Sequence, residues 1–422
     1  MITTLSMAGI FGVGVASVVK DLIHDPNKTL EGRIQLIMKR CDICSETKES
    51  NDKKRKLYPT LVKQGWNGKN KVFYYKLPVG LSYLDVYNKL PYFWDGLGAE
   101  VILKKLEGDF KSDFTMTVLS GHLPDSISFD LETIMKIIQH KKGQIILPIG
   151  YSRRKFETVE ISSDMFPTIL IAGTIGSGKS TIIRLMQVAL HLGYTPEEVG
   201  LWIADLKEGI EGNVLGDSNF IDEKVSSPWE SGKFFQNLLK LTQERYRILS
   251  EANCTDITQY NEENPNKFMK RLILFIDEYA MLEGGKGDTD ENKYLQGCRT
   301  LVKQIVAIGR ACGVHTILAT QRPSHEVIEG TLKNNLAVTI GFRTKNETSS
   351  RIVMDGENKL AHIDPDKPGR CILRTDRDVF VQVPLIKSNE AKSLLLPYQK
   401  TKNSQSTSTV ELKKSTKKHL SK

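Results

Sequence analysis

The stretch "IAGTIGSGKS", Ile171 to Ser180, sets Gly173, Gly178, Lys179 and Ser180 at the spacing G-x-x-x-x-G-K-[ST]. Glycines let a loop turn its own N–H groups onto phosphate oxygens, the lysine reaches the β- and γ-phosphates, and the hydroxyl is a ligand for Mg²⁺. Contacts to a nucleotide are therefore expected from Gly173, Thr174, Ile175, Gly176, Ser177, Gly178, Lys179, Ser180 and Thr181. Further along, "LILFIDEYA" ends an apolar run in Asp277 and Glu278. Asp277 suits the hydrated Mg²⁺, alongside Ser180. Glu278 suits orientation and deprotonation of a water, the general-base role of a hydrolase rather than a kinase. An Asp-Glu pair after a strand is also what a helix N-cap with an acidic first turn looks like. The glycine loop upstream is what assigns it to the nucleotide.

Three more side chains complete the chemical set. Gln321 closes "ILATQ", where an amide can sense the γ-phosphate or position water. Phosphoryl transfer needs a cation against the charge of its transition state, and the loop supplies only Lys179. Arg310 and Arg343 are the candidates, and an arginine offered by a neighbouring subunit would make hydrolysis depend on assembly.

These residues need strands to end on and a helix to begin at. An apolar strand, Thr168 to Ala172, precedes the loop, and a helix follows with Ile182, Ile183, Leu185, Met186, Ala189 and Leu190 on one side. More strands are expected at 200–205, 271–277, 315–320 and 337–342, alternating with helical stretches. That alternation predicts an α/β domain around a central, mainly parallel sheet with covered faces.

The chain has 422 residues, enough for two or three domains, with a net charge of +9 that suits a polyanionic partner. Six cysteines without dense spacing exclude a disulfide framework. Cys41 and Cys44 form a CxxC with no second pair, and read as two small side chains in a charged segment. Residues 2–19 carry no charge and are followed by Lys20, Lys28 and Arg33, which fits either a single membrane anchor with the rest of the chain cytoplasmic or a leader in residues 1–20. Residues 21–70 read as a charged linker. Residues 71–142 read as a small α+β domain, on short aromatic and β-branched runs such as "KVFYYKLPVG". Residues 143–397 form the ATPase domain, and 398–422 a basic disordered tail.

Taken in order, "ILPIG", "LIAGTIGSGKST", "ADLK", "QERYRIL", "LFIDEYA" and the run Ala319 to Pro323, "ATQRP", resemble the FtsK/SpoIIIE family of DNA translocases over about Gly143 to Pro384. The resemblance implies a RecA-like P-loop motor that assembles as a homo-hexamer, threads DNA through its centre and moves it with ATP and Mg²⁺. It assigns Lys179 and Ser180 to Walker A, Asp277 and Glu278 to Walker B, Gln321 to the sensor glutamine, and Arg310 to the arginine offered to a neighbour. It also draws in Asp205 and Lys207 of "ADLK".

Ile175 stands where the family usually has Thr, and "DGENKLAHIDPDKPGRCIL" departs from its usual stretch. No winged-helix module or long linker is recognisable, so sequence-directed chromosome sorting is not expected. The short motor is similar to the FtsK-like coupling proteins of Gram-positive mobile elements. That similarity implies conjugative DNA transfer at the cytoplasmic face of a membrane, with a relaxase-bound strand and channel components as partners. The alternatives are a protein-secretion ATPase of the FtsK-like type and a nucleotide-dependent scaffold that docks a relaxosome.

Overall fold

The computed structural model describes residues 29–48, 54–106, 114–121, 123–138, 144–161, 168–207, 214–285, 287, 289–328 and 330–400. The expected anchor or leader and nearly all of the expected tail lie outside them. Among the described residues no helix is long and apolar enough to cross a membrane. The chain divides into two compact units, residues 1–122 and 123–422.

The first unit is built on an antiparallel sheet. Its elements are α1 (Leu30–Arg40), a hairpin of β1 (Ser45–Lys48) and β2 (Lys54–Leu57), then β3 (Thr60–Asn67), β4 (Asn70–Lys76), α2 (Tyr83–Tyr87), α3 (Leu90–Leu97), β5 (Val101–Lys105) and β6 (Phe114–Val118). Four strands form one sheet in the order β3-β4-β6-β5. Alternate residues Phe73, Tyr75, Phe114, Met116, Val101 and Leu103 are buried in one cluster with Ile34, Met38, Val86 and Phe93 of the helices. Each such side chain contributes roughly 1.5–3 kcal/mol on burial.

Residues 21–70 are thus not simply a linker: α1, β1, β2 and β3 occupy much of the segment. Two physical features hid them. In α1 the apolar positions Ile34 and Met38 lie one turn apart among charges. Strand β3 is an edge strand whose alternation is broken by a register shift between Leu61 and Lys63.

The second unit contains α4 (Leu131–Ile137), β7 (Ile145–Tyr151), β8 (Phe156–Ile161), β9 (Thr168–Ala172), α5 (Lys179–Gly193), β10 (Val199–Asp205), β11 (Ile221–Val225), α6 (Ser231–Glu251), α7 (Ile257–Glu263), β12 (Arg271–Asp277), α8 (Asp290–Ile308), β13 (Val314–Thr320), β14 (Val338–Phe342), β15 (Arg370–Arg374) and β16 (Asp378–Gln382). Its ten strands run in the order β11-β10-β12-β13-β9-β14-β15-β16-β7-β8. From β11 to β14 neighbours are parallel; from β14 to β8 they are antiparallel.

The sheet is therefore mixed, and its parallel half contains every strand expected there. The antiparallel half escaped because β8 and β16 interleave polar residues with apolar ones, FETVEI and DVFVQ, and so lack the continuous apolar run that marks the parallel strands. Residues of β9, β10 and β13 are buried along their whole length, as expected of a sheet covered on both faces. Helix α4, expected with the small domain, belongs to this second unit: Ile134 and Ile138 are buried in the same cluster as Leu147 of β7 and Leu185 of α5.

Candidate active site

Because both faces of the parallel sheet are covered, polar chemistry is confined to the strand ends. Strand β9 runs into the glycine loop, and α5 starts at Lys179. All six apolar residues expected on the inner side of α5 are buried. Gly178, the residue before the helix, has φ +123°, and a Cβ there would stand 2.8 Å from Phe342 and 2.9 Å from Gly369. Only glycine meets both demands.

The loop is clasped from two sides. Thr174 N–H donates to the Arg343 carbonyl at 2.9 Å, and Gly369 N–H donates to the Ser177 carbonyl at 2.8 Å. Ser177 Oγ donates to the Thr174 carbonyl at 2.7 Å. Lys179 is buried and its Nζ donates to the carbonyls of Gly173 and Thr174, at 2.6 and 2.8 Å. Ile175, at the loop's tip, is 82% exposed, so the departure from Thr leaves loop packing untouched.

Asp277 is the last residue of β12, in register with Asp205, the last residue of β10. Ser180, Asp205 and Asp277 line one cavity together with Arg184 and Gln187. Two carboxylates and a hydroxyl are hard oxygen donors, a set that fits Mg²⁺.

Glu278 follows in the left-handed region, φ +70° and ψ +69°. Such a conformation costs a non-glycine residue about 1–3 kcal/mol and persists where its surroundings hold it. They do here. Its side chain is buried; Oε1 accepts from Thr320 Oγ1 at 2.9 Å and from Gln321 N–H at 3.0 Å, and Oε2 accepts from Gln321 N–H at 3.1 Å. Lys207 Nζ stands 3.0 Å from Oε2. The strand order explains the cluster: β10, β12 and β13 are neighbours, so Lys207, Glu278, Thr320 and Gln321 all lie at adjacent strand ends.

The structure thus brings Lys179, Ser180, Asp205, Lys207, Asp277, Glu278, Gln321 and the Arg343 backbone to one edge of the sheet. It does not bring Arg310 there. Arg310 is exposed in the turn between α8 and β13, where its carbonyl accepts from Gly313 N–H. That turn precedes the first residue of β13, whereas Thr320 is the last. Seven residues of strand separate the two edges by roughly 20 Å.

Thr320 and Gly369 are contributors that sequence reasoning did not single out. Thr320 adjoins Gln321 in "ATQ", which is the signal for it. Gly369 lies far down the chain and is linked to the loop only through the fold. As for Cys41 and Cys44, both are free thiols, and no group of three or more His, Cys, Asp or Glu among the described residues could hold a metal ion.

Residues 136–325 match the FtsK/SpoIIIE family model. The chain is 33% identical over 195 residues to a DNA translocase FtsK of Helicobacter pylori, covering 45% of this chain and 21% of that one. It is 29% identical over 244 residues to a DNA translocase FtsK of Halalkalibacterium halodurans, covering 54% and 30%. The matched segment is thus less than a third of either relative.

Among solved structures, a pCW3 conjugation coupling protein TcpA monomer with ATPγS superposes with a TM-score of 0.56 at 21% identity, covering 86% of this chain and 98% of that one. The cytoplasmic domain of a Type VII secretion ATPase, EccC of Thermomonospora curvata, gives 0.55 at 20% identity, covering 65% and 35%. The fold is that of the P-loop ATPases, with a small N-terminal unit preceding the ATPase domain in the chain.

Proposed function

We propose that this chain, which carries an FtsK/SpoIIIE family domain, is an ATP-driven DNA motor that works as a homo-hexameric ring and serves as the coupling ATPase of conjugative transfer. The observation that carries the hydrolytic part is the seat of Glu278. A buried carboxylate is held by Thr320, Gln321 and Lys207 directly after Asp277, on the edge where the glycine loop opens. A kinase needs no such base for water.

In this reading Lys179 and the loop N–H groups hold the phosphates of ATP. Ser180 and Asp277 would hold Mg²⁺, with Asp205 beside them; the ion, when bound, neutralises charge on the phosphate oxygens. Glu278 takes the proton of the attacking water, and its hydrogen bonds fix the direction from which it does so. Gln321, whose N–H grips that carboxylate, couples the strand end to the γ-phosphate. Arg310 sits at the opposite edge and serves the site of the next subunit, so hydrolysis waits on ring assembly.

DNA as the substrate is supported by the relatives' activity and by the chain's positive charge. Conjugation is favoured over secretion because the likeness to the coupling protein runs through 98% of that chain, against 35% of the secretion ATPase. In that role the protein works at the cytoplasmic face of a membrane with a relaxase-bound strand.

Steady-state ATP hydrolysis by the full chain at low salt, with no DNA, single-stranded DNA or duplex, tests the reading. Stimulation of several-fold or more by DNA is expected, with an apparent DNA affinity falling by a log-log salt slope of about 0.9 per neutralised phosphate on duplex. Hydrolysis indifferent to both DNA forms would overturn it in favour of a polypeptide substrate.

A further inference from the structure

The four-stranded sheet of the first unit packs one face on its helices; on the other face Val72 and Thr115 are covered, Tyr74 is half-buried, and Lys63, Lys76 and Lys104 are exposed. The four strands carry no Asp or Glu; Lys63, Lys76 and Lys104 alternate onto the face of Tyr74, while Lys71 and Lys105 share the side of Phe73, Tyr75 and Leu103. The register places Lys63 opposite Tyr74, Tyr74 opposite Thr115, and Thr115 opposite Lys104. These four residues form one rung straight across the sheet, on the side away from Phe73 and Tyr75.

Lys63 and Lys104, on the two edge strands, are exposed. Tyr74 lies between them with Lys63 Nζ 4.4 Å from its ring centroid, and Thr115 Oγ1 is turned onto the Lys104 carbonyl. At the usual strand spacing the two lysines stand about 14 Å apart.

We propose that this rung is a binding site for single-stranded DNA, with a base stacked on Tyr74 and backbone phosphates on Lys63 and Lys104. An aromatic ring in the middle of a sheet can offer a face to an unpaired base, and a base inside a duplex cannot reach it. Cations at both edges with no acidic residue in the strands match a polyanion that crosses the sheet from β3 to β5. Lys63 already occupies the cation position over Tyr74, so a base entering the rung displaces an ammonium toward the phosphate that follows it. The proposal rests on the motor's DNA reading only for the choice of DNA over RNA. It gives the first unit a function of its own, which is to hold a single strand.

The test uses the full chain without nucleotide and fluorescein-labelled oligo-dT, followed by anisotropy across a salt series. Tyr74→Ala is expected to weaken binding about tenfold, within the range for one base–aromatic stack, and Tyr74→Phe to keep it. Lys63→Ala with Lys104→Ala is expected to lower the log-log salt slope by about 1.4, at roughly 0.7 per phosphate on a single strand. The Tyr74→Phe variant guards against a loss that reflects misfolding.

Unchanged affinity and slope in the double-lysine variant overturns the proposal, and so does an equal loss on duplex and oligo-dT, which would assign the rung to general charge. DNA-stimulated hydrolysis is read on the same samples. If it persists while oligo-dT binding ignores every substitution, the rung is wrong and the motor reading stands; if the wild type binds no DNA and is not stimulated, both fall.

Discussion

The two sheets of this molecule handle their surfaces in opposite ways. The ten-stranded sheet is covered on both faces where its strands are parallel, so its chemistry is forced to the ends of β9, β10, β12 and β13. The four-stranded sheet packs one face on helices, and exposed Lys63 and Lys104 with half-buried Tyr74 lie across the other. On the functions proposed above, one sheet works by its edge and the other by its face. Burial decides which, because polar groups survive inside a covered sheet only when fully partnered.

The sharpest way to break the edge account is at Glu278. Glu278→Gln keeps the shape and the acceptor oxygen for Gln321 N–H but removes the base. ATP hydrolysis is expected to fall by about 10² to 10⁴-fold with nucleotide binding retained. Lys207→Ala in the same assay should cost less, about tenfold, in kcat rather than KM, since Lys207 only positions the carboxylate. Equal losses in the two variants would mean that Lys207 acts on the nucleotide directly.

A covered sheet also creates groups that water cannot reach, and His191 is the clearest. It is buried, its Nδ1–H donates to the Gln187 carbonyl at 2.7 Å, and its Nε2 accepts from Ser218 Oγ at 2.6 Å. Burial pushes its pKa down to about 4 from the usual 6.5. In the folded protein it stays neutral, while the unfolded chain takes up a proton below about 6.5. Stability is therefore full above pH 6.5 and falls as the pH drops toward 4, by at most about 3 kcal/mol. Urea midpoints between pH 7 and 4.5 should slope downward, and His191→Gln should flatten the slope. A wild-type midpoint constant over that range would contradict the seat described for His191.

The edge site was far more legible in the sequence than the sheet that faces water. Gly173 to Ser180, Asp277 and Glu278 are local signals: an apolar run, then a fixed spacing, then a helix. Their strands came with them, since parallel strands buried on both faces are continuous apolar runs. The grip of Gly369 on Ser177 and of Lys207 on Glu278 depends on contacts between segments far apart in the chain, and no local pattern carries it. In the first unit, β3 is polar on one side and bulged, so it resembles a charged loop. The rung from Lys63 to Lys104 exists only once the order β3-β4-β6-β5 is known.

The edge account makes one demand that a single subunit cannot meet, because Arg310 lies at the far end of β13 from Glu278. Hydrolysis by Glu278→Gln, by Arg310→Ala and by an equal mixture of the two, all with DNA, tests it directly. Each variant alone should be nearly inactive, Arg310→Ala by about 10³-fold or more. In the mixture about a quarter of the interfaces join an intact glutamate to an intact arginine from the neighbour, and activity should reappear in that proportion. A mixture as inactive as its components, or an Arg310→Ala protein as active as wild type, would contradict the shared site.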